Sequence, residues 1–176
     1  MAGTDKEVAD LYAESATTYG AALTRLARAY EPDPDRRRDL VQEIHIALWR
    51  SLVGFDGRCS LRTWVYRVAH NTATSQVIRR RAHTPTLVSL DEVASLPDDG
   101  LDEIETDRQR TMERILRLIH TLEPLDRQVI LLYLEDMDAA AIGDITGLSS
   151  SNVATKVHRI KKILSRRFHE GGRHGQ

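Results

Sequence analysis

The sequence predicts an all-α protein: two small helical domains joined by an acidic, flexible linker. Three observations carry that expectation. Apolar residues recur at spacings of three, four and seven along most of the 176 residues, and no stretch alternates as a half-buried strand would. That periodicity fades between about Ala82 and Asp107, where two prolines, the turn signal "PDDG" and only acidic charge stand together. The charge divides at the same places. The net charge of −1 splits into +3 over residues 1–81, −8 over 82–107, −2 over 108–148 and +6 over 149–176. Basic charge at the ends of two helical blocks points to contact with a polyanion, although for either block alone a solvated face is the favoured reading.

Each element has its own signals. Val8, Leu11, Tyr12, Tyr19, Leu23, Leu26 and Tyr30 form one face of a helix over about 5–30. The prolines of "EPDPD" end it. Asp35 is the expected cap of a second helix, which runs to about Val53 with Gly54 beyond it. "FDGRCS" reads as a loop with Ser60 as the next N-cap. A third helix then turns Leu61, Trp64, Val65, Val68, Ala69 and Thr72 inward and ends near "IRRRAH". After the linker, with a short turn expected around Ser89 to Ala94, come four more helical segments. Met112, Ile115, Leu116, Ile119 and Leu122 make one stripe. "EPLDRQVILLYLEDM" starts with Pro124 in its first turn. "DAAAIGDITG" is short, with Asp138 as its cap and Gly147 at its end. The last segment begins at Ser149 and turns Val153, Val157, Ile160, Leu164 and Phe168 inward. The expected domains are 1–82 and 108–170, with a linker over 83–107 and a flexible tail over 171–176.

Composition narrows the function class. Hydrophobic residues at 41% and charged residues at 29% describe a soluble globular protein. No run approaches the roughly 18 apolar residues that span a bilayer. "MAGTDKEVADLY" has neither the basic start nor the apolar core of a signal peptide. The lone Cys59 allows no internal disulfide and fits a reducing cytoplasm. Scattered His, no ligand-spaced Cys and no Gly-rich phosphate loop leave no expected cofactor, metal, small-molecule substrate or enzymatic activity.

The last two segments, joined by "GLS", have the form of a helix-turn-helix whose second helix enters a major groove. Ser149 and Ser150 supply an N-cap and amides suited to a phosphate. Opposite the apolar stripe lie Ser151, Thr155, Lys156, His158, Arg159 and Lys162, types that bond phosphates and base edges. A membrane-surface helix would want bulkier apolar residues than these Val and Ile. In the first block, "RRDLVQEIHIALWRSL" is apolar on more than one face. That surplus fits either a partner surface or the central helix of a small bundle.

"DLVQEIHIALWRSLVGFDGRCSLRTWVYRVAHNTATSQVIRRR" resembles region two of bacterial RNA polymerase sigma factors of the extracytoplasmic-function group. "LEPLDRQVILLYLEDMDAAAIGDITGLSSSNVATKVHRIKKIL" resembles their region four. The resemblance covers most of residues 9–168. It implies a transcription initiation factor with core RNA polymerase, promoter DNA and an anti-sigma factor as partners. Docking on the polymerase β′ clamp helices would then involve Asp39, Leu40, Gln42, Glu43, Ile46 and Trp49, and the polymerase β flap is a further implied contact. The minus-ten element would be melted and read around Phe55, Asp56 and Asn71, with Trp64 packed beneath. Arg62, Arg67, Arg79, Arg80 and Arg81 would neutralise its phosphates. The helix-turn-helix would read the minus-thirty-five element, and the acidic linker would enter the polymerase channels. The family usually has Lys or Arg after the valine of the recognition helix, where this chain has Ala154, so one basic contact is missing. An anti-sigma factor could hold such a cytoplasmic protein at the membrane. Two rival readings are a stand-alone helix-turn-helix regulator and a sigma mimic that sequesters an anti-sigma factor. The first leaves the surplus apolar surface unexplained. The second should lose the basic faces that this chain keeps.

Overall fold

The computed structural model describes residues 5–81 and 107–170. Among them every regular element is a helix, as the spacing requires: α1 (Asp5–Tyr30), α2 (Pro34–Leu52), α3 (Leu61–Arg81), α4 (Asp107–Thr121), α5 (Pro124–Leu134), α6 (Ala139–Thr146) and α7 (Ser150–Glu170). The acidic stretch 82–106, with the turn expected at 89–94, and the tail from 171 lie outside the described residues.

The first three helices pack pairwise into a bundle. α1 carries Asp5 and Glu7 in its first turn and Arg28 in its last, in keeping with the helix dipole. The cap of α2 is Asp33, not the expected Asp35. Its carboxylate accepts from the amides of Asp35 and Arg36 at 3.0 and 2.9 Å. The cause is Pro34, whose fixed φ and missing N–H suit the first helical position and so place the cap at the residue before it, two residues ahead of Asp35. α2 buries Leu40, Ile44, Leu48 and Leu52, a single row at spacing four. Ser60 caps α3 as expected, its hydroxyl accepting from the Thr63 amide at 3.0 Å. The deepest residues of α3 are Val65, Tyr66, Ala69, His70 and Ala73, while Trp64, Val68 and Thr72 are only half-buried. The expected face is rotated because α3 packs on two sides, against α1 and α2 and also against α5 and α6.

α5, α6 and α7 form the second group. Pro124 opens α5, and the chain leaves it through a Schellman turn. The Met137 amide bonds the Leu132 carbonyl at 3.2 Å and the Asp136 amide bonds Tyr133 at 3.1 Å. Asp136 takes the left-handed conformation at φ 56, which Asp tolerates better than most residues. Buried Met137 beside Leu132 supplies the apolar contact of that motif. Val129, Leu132, Ile142, Ile145, Val153 and Val157 continue the apolar core of the first bundle without a break. A smaller cluster of Leu122, Ile130, Ile160 and Ile163 lies beyond. On α7 the inward residue at the fourth step is therefore Ile163, with Leu164 half-buried; the Phe168 side chain lies outside the described residues.

His70 is buried at the meeting of α1 and α3, with Nδ1 3.0 Å from the Tyr30 hydroxyl. Burial pushes its pKa down to about 3 and that of Tyr30 up to about 12. The folded protein keeps this imidazole neutral, whereas the unfolded chain protonates it below about pH 6.5. Stability is thus complete above pH 6.5 and falls toward pH 3, by about 1.4 kcal/mol per unit for this one proton. In urea unfolding at pH 7.5 and pH 5, His70→Gln should lose much of the pH dependence that the parent shows.

Candidate nucleic-acid and partner-protein interfaces

α2 carries two faces with opposite uses. Its core row is sealed, and Leu40, at 1% exposure, belongs to it. The expectation that Leu40 meets a partner is therefore corrected. It stands four residues before Ile44, on the row α2 turns to the core. On the outer side Ile46, Trp49 and Val53 are 50%, 45% and 48% exposed. Gln42 and Glu43 are exposed one turn before Ile46, and Asp39 two turns before it. Trp49 is braced from α1: the Tyr12 ring meets it edge-on at 5.2 Å, and the Tyr12 hydroxyl lies 3.0 Å from His45 Nδ1. Glu43 is already partnered by α3, accepting from Gln76 Nε2 at 2.6 Å with Arg79 3.8 Å away. Tyr12 and Val53 were not among the expected site residues; Val53 follows Trp49 by four and Ile46 by seven, a spacing that could have found it.

The "FDG" turn lies at the end of α2. Gly57 has φ 74, a conformation that favours glycine. Asp56 binds the Arg58 side chain at 2.5 Å and its amide at 3.2 Å, and these bonds hold its carboxyl below the usual range. Phe55 packs edge-on against Trp64 at 5.4 Å, and the indole N–H donates to Ser51 at 3.0 Å. Trp64 thus packs beneath the loop, leaving Phe55 half-exposed above it. Asn71 is exposed on α3. Arg62 and Arg67 lie on α3 as well, but both reach across to the second group. Arg62 donates to the Glu135 carbonyl, and Arg67 donates to that of Asp144 at 3.0 Å. Arg80 and Arg81 end α3, with side chains outside the described residues.

α6 and α7 form the expected helix-turn-helix. Asp138 caps α6, accepting from the Ala141 amide at 2.8 Å. Gly147 ends it with φ 77, its amide donating to the Gly143 carbonyl at 2.8 Å. Ser149 caps α7, accepting from Asn152 at 3.2 Å, and Ser150 begins the helix. Ser151, Thr155, His158 and Lys162 share one exposed face, and Asn152, Ala154 and Arg159 flank it. Asn152 was not an expected reader, yet an amide at a recognition-helix N-terminus suits a base edge. Lys156 does not belong to that face. Its ammonium lies 2.5 Å from Asp126, a buried carboxylate of α5, so it pins α7 to α5. Lys161 also turns that way, donating to the Tyr133 hydroxyl at 3.0 Å. What remains is polar at the start of the helix and basic toward its end, an arrangement able to bond base edges and phosphates.

Among the described residues no helix is long and apolar enough to cross a membrane, and no three His, Cys, Asp or Glu residues are placed to hold a metal.

Known proteins share both halves. The family description for sigma-70 region 2 matches residues 16–83, and that for sigma-70 region 4 matches 112–164. The extracytoplasmic-function sigma factor SigG of Mycobacterium tuberculosis is 32% identical over 148 residues, 72% of this chain and 40% of that protein. The chain therefore spans well under half the length of SigG. SigW of Bacillus subtilis is 21% identical over 173 residues, covering 92% of this chain and 90% of its own length. The sigma-E factor of Escherichia coli is 29% identical over 147 residues, covering 81% and 76%. A solved structure of CnrH in complex with the cytosolic domain of CnrY has the same fold, with a TM-score of 0.63 at 21% identity, covering 88% of this chain and 85% of that one.

Gly143 marks how tightly the two helices are joined. A Cβ there would come within 2.6 Å of the Leu148 carbonyl oxygen, a backbone atom with no freedom to swing away. Gly143→Ala should cost about 1–3 kcal/mol, despite alanine's better helix propensity. Thermal unfolding of the variant beside Gly20→Ala, which meets nothing within 4 Å, checks it.

Proposed function

The chain belongs to the extracytoplasmic-function sigma factors, and from that premise we propose that it is a dissociable initiation subunit of bacterial RNA polymerase. It joins core polymerase in the cytoplasm, recognises two promoter elements, helps to open the DNA and is released. It performs no catalysis of its own. Residues 1–82 dock on the β′ clamp helices and engage the minus-ten element. Residues 108–170 engage the minus-thirty-five element and the β flap, and the acidic stretch 83–107 enters the polymerase channels. An anti-sigma factor holds it inactive, at the membrane where that factor is itself anchored.

The observation that carries this reading is the exposed apolar strip of α2, Ile46, Trp49 and Val53, flanked by Asp39 and Gln42. A regulator that met only DNA would have no use for an apolar strip on the side away from its own core. A partner helix bearing apolar and basic residues would cover it. Asn71 and the Phe55 loop supply an amide and an aromatic face for an unstacked base. Ser151, Asn152, Thr155 and His158 read the duplex, while Arg159 and Lys162 meet its phosphates. Ala154 leaves a gap in that row, so the minus-thirty-five sequence preferred here differs from that of relatives with a basic residue.

Purified core polymerase should retain the chain, and run-off transcription on a genomic promoter library should yield defined start sites. A chain that neither joins core nor directs initiation anywhere would sink this reading. Trp49→Ala should weaken core binding about thirtyfold or more, as central aromatic anchors do, and leave binding to a duplex minus-thirty-five fragment unchanged. On that fragment, Lys162→Ala should reduce the slope of log K against log salt by about one. Lys156→Met should leave the slope unchanged, because its charge is spent on Asp126.

A further inference from the structure

Glu135 joins the two groups of helices. It stands at the C-cap of α5, 110 residues along the chain from Arg25. Arg25 binds both its carboxylate oxygens, Nε at 3.0 Å and Nη2 at 2.8 Å. The Tyr66 hydroxyl donates to the same carboxylate at 3.0 Å, and Arg62 donates to its backbone carbonyl. The Schellman turn with left-handed Asp136 holds this residue in place. Further along the seam Arg67 donates to the Asp144 carbonyl at 3.0 Å.

The apolar core crosses the seam elsewhere, but the part of the seam beside Glu135 is open. Beside Glu135 lies a cavity of about 360 Å³, walled by Leu26, Ala29, Ile115, Leu116 and Leu134. On this side of the seam, closure leans on the polar cluster, and on the other on the shared apolar core.

Arg62 and Arg67 are two of the five guanidiniums that the resemblance to sigma region two assigns to promoter phosphates. Neither can hold a carbonyl of the second group and a phosphate with the same N–H groups. We propose that Glu135 is an intramolecular latch. It closes the helix-turn-helix group over α3, and the closed form and the promoter single strand compete for Arg62 and Arg67. The competition rests on the reading that α3 binds nucleic acid; the closed geometry does not.

Two measurements on the full chain test it. Fluorescent dyes at Asp10→Cys and Arg166→Cys, both exposed, in a Cys59→Ser background report the separation of the two groups. Anisotropy of a random-sequence single-stranded DNA of about 12 nucleotides reports binding to α3. Glu135→Gln and Arg25→Ala should both lengthen the separation and raise affinity for the strand about five- to tenfold, because the binding-competent fraction rises. The two variants change net charge in opposite directions, so agreement between them excludes a simple charge effect. Saturating strand should lengthen the separation in the parent chain. An unchanged separation in both variants overturns the latch. Longer separation without a gain in affinity overturns the competition. If no form binds the strand at all, the competition falls together with the reading of α3 as a promoter surface.

Discussion

Everything in this molecule hangs on α3. It is the helix against which α1 and α2 close on one side and α5 and α6 on the other. Two-sided burial explains why its deepest residues run Val65, Tyr66, Ala69, His70, Ala73 rather than along one stripe. It also explains the chemistry found there. A histidine enclosed on all sides must be neutral, and a tyrosine such as Tyr66, half-enclosed beside a carboxylate, is held protonated above its usual range. The apolar core runs unbroken through α3 from one group of helices to the other, and this packing brings the arginines along α3 to the seam.

α2 divides its labour by face. Residues at spacing four are sealed in the core, while Ile46, Trp49 and Val53 between and after them stand in solvent. A helix built this way can offer a large apolar strip without weakening its own attachment. The tyrosine that braces Trp49 from α1 limits the ring's freedom before any partner arrives, which lowers the ordering cost of binding.

Much of this was legible in one dimension. Helix boundaries followed from proline, glycine and serine signals, and the helix-turn-helix followed from Asp138, Gly147 and Ser149. Where local rules competed, the outcome was less legible: Asp33 and Asp35 both suit a cap, and only the preference of Pro34 for the first helical position separates them. Leu40 shows a second limit. A helix apolar on several faces does not say which face is inward until its neighbours are placed. Lys156 and Glu135 show a third. Their partners lie 30 and 110 residues away, and no spacing rule reaches across a chain to an ion pair. Lys156 looks like a phosphate contact in sequence because nothing nearby in the chain neutralises it.

The pairing of Lys156 with Asp126 shapes how the recognition helix would come to a duplex. With that charge spent, the exposed side begins with Ser151, Asn152 and Thr155, which are uncharged, and ends with Lys162 and Arg166. Long-range attraction acts on the charged end only. The helix would therefore be captured by its distal end first, anywhere along the backbone, and would swing its neutral tip into the groove afterwards. On the proposed reading, capture and base readout would be successive events at two ends of one rod, the tip sampling base edges while the far end keeps its hold.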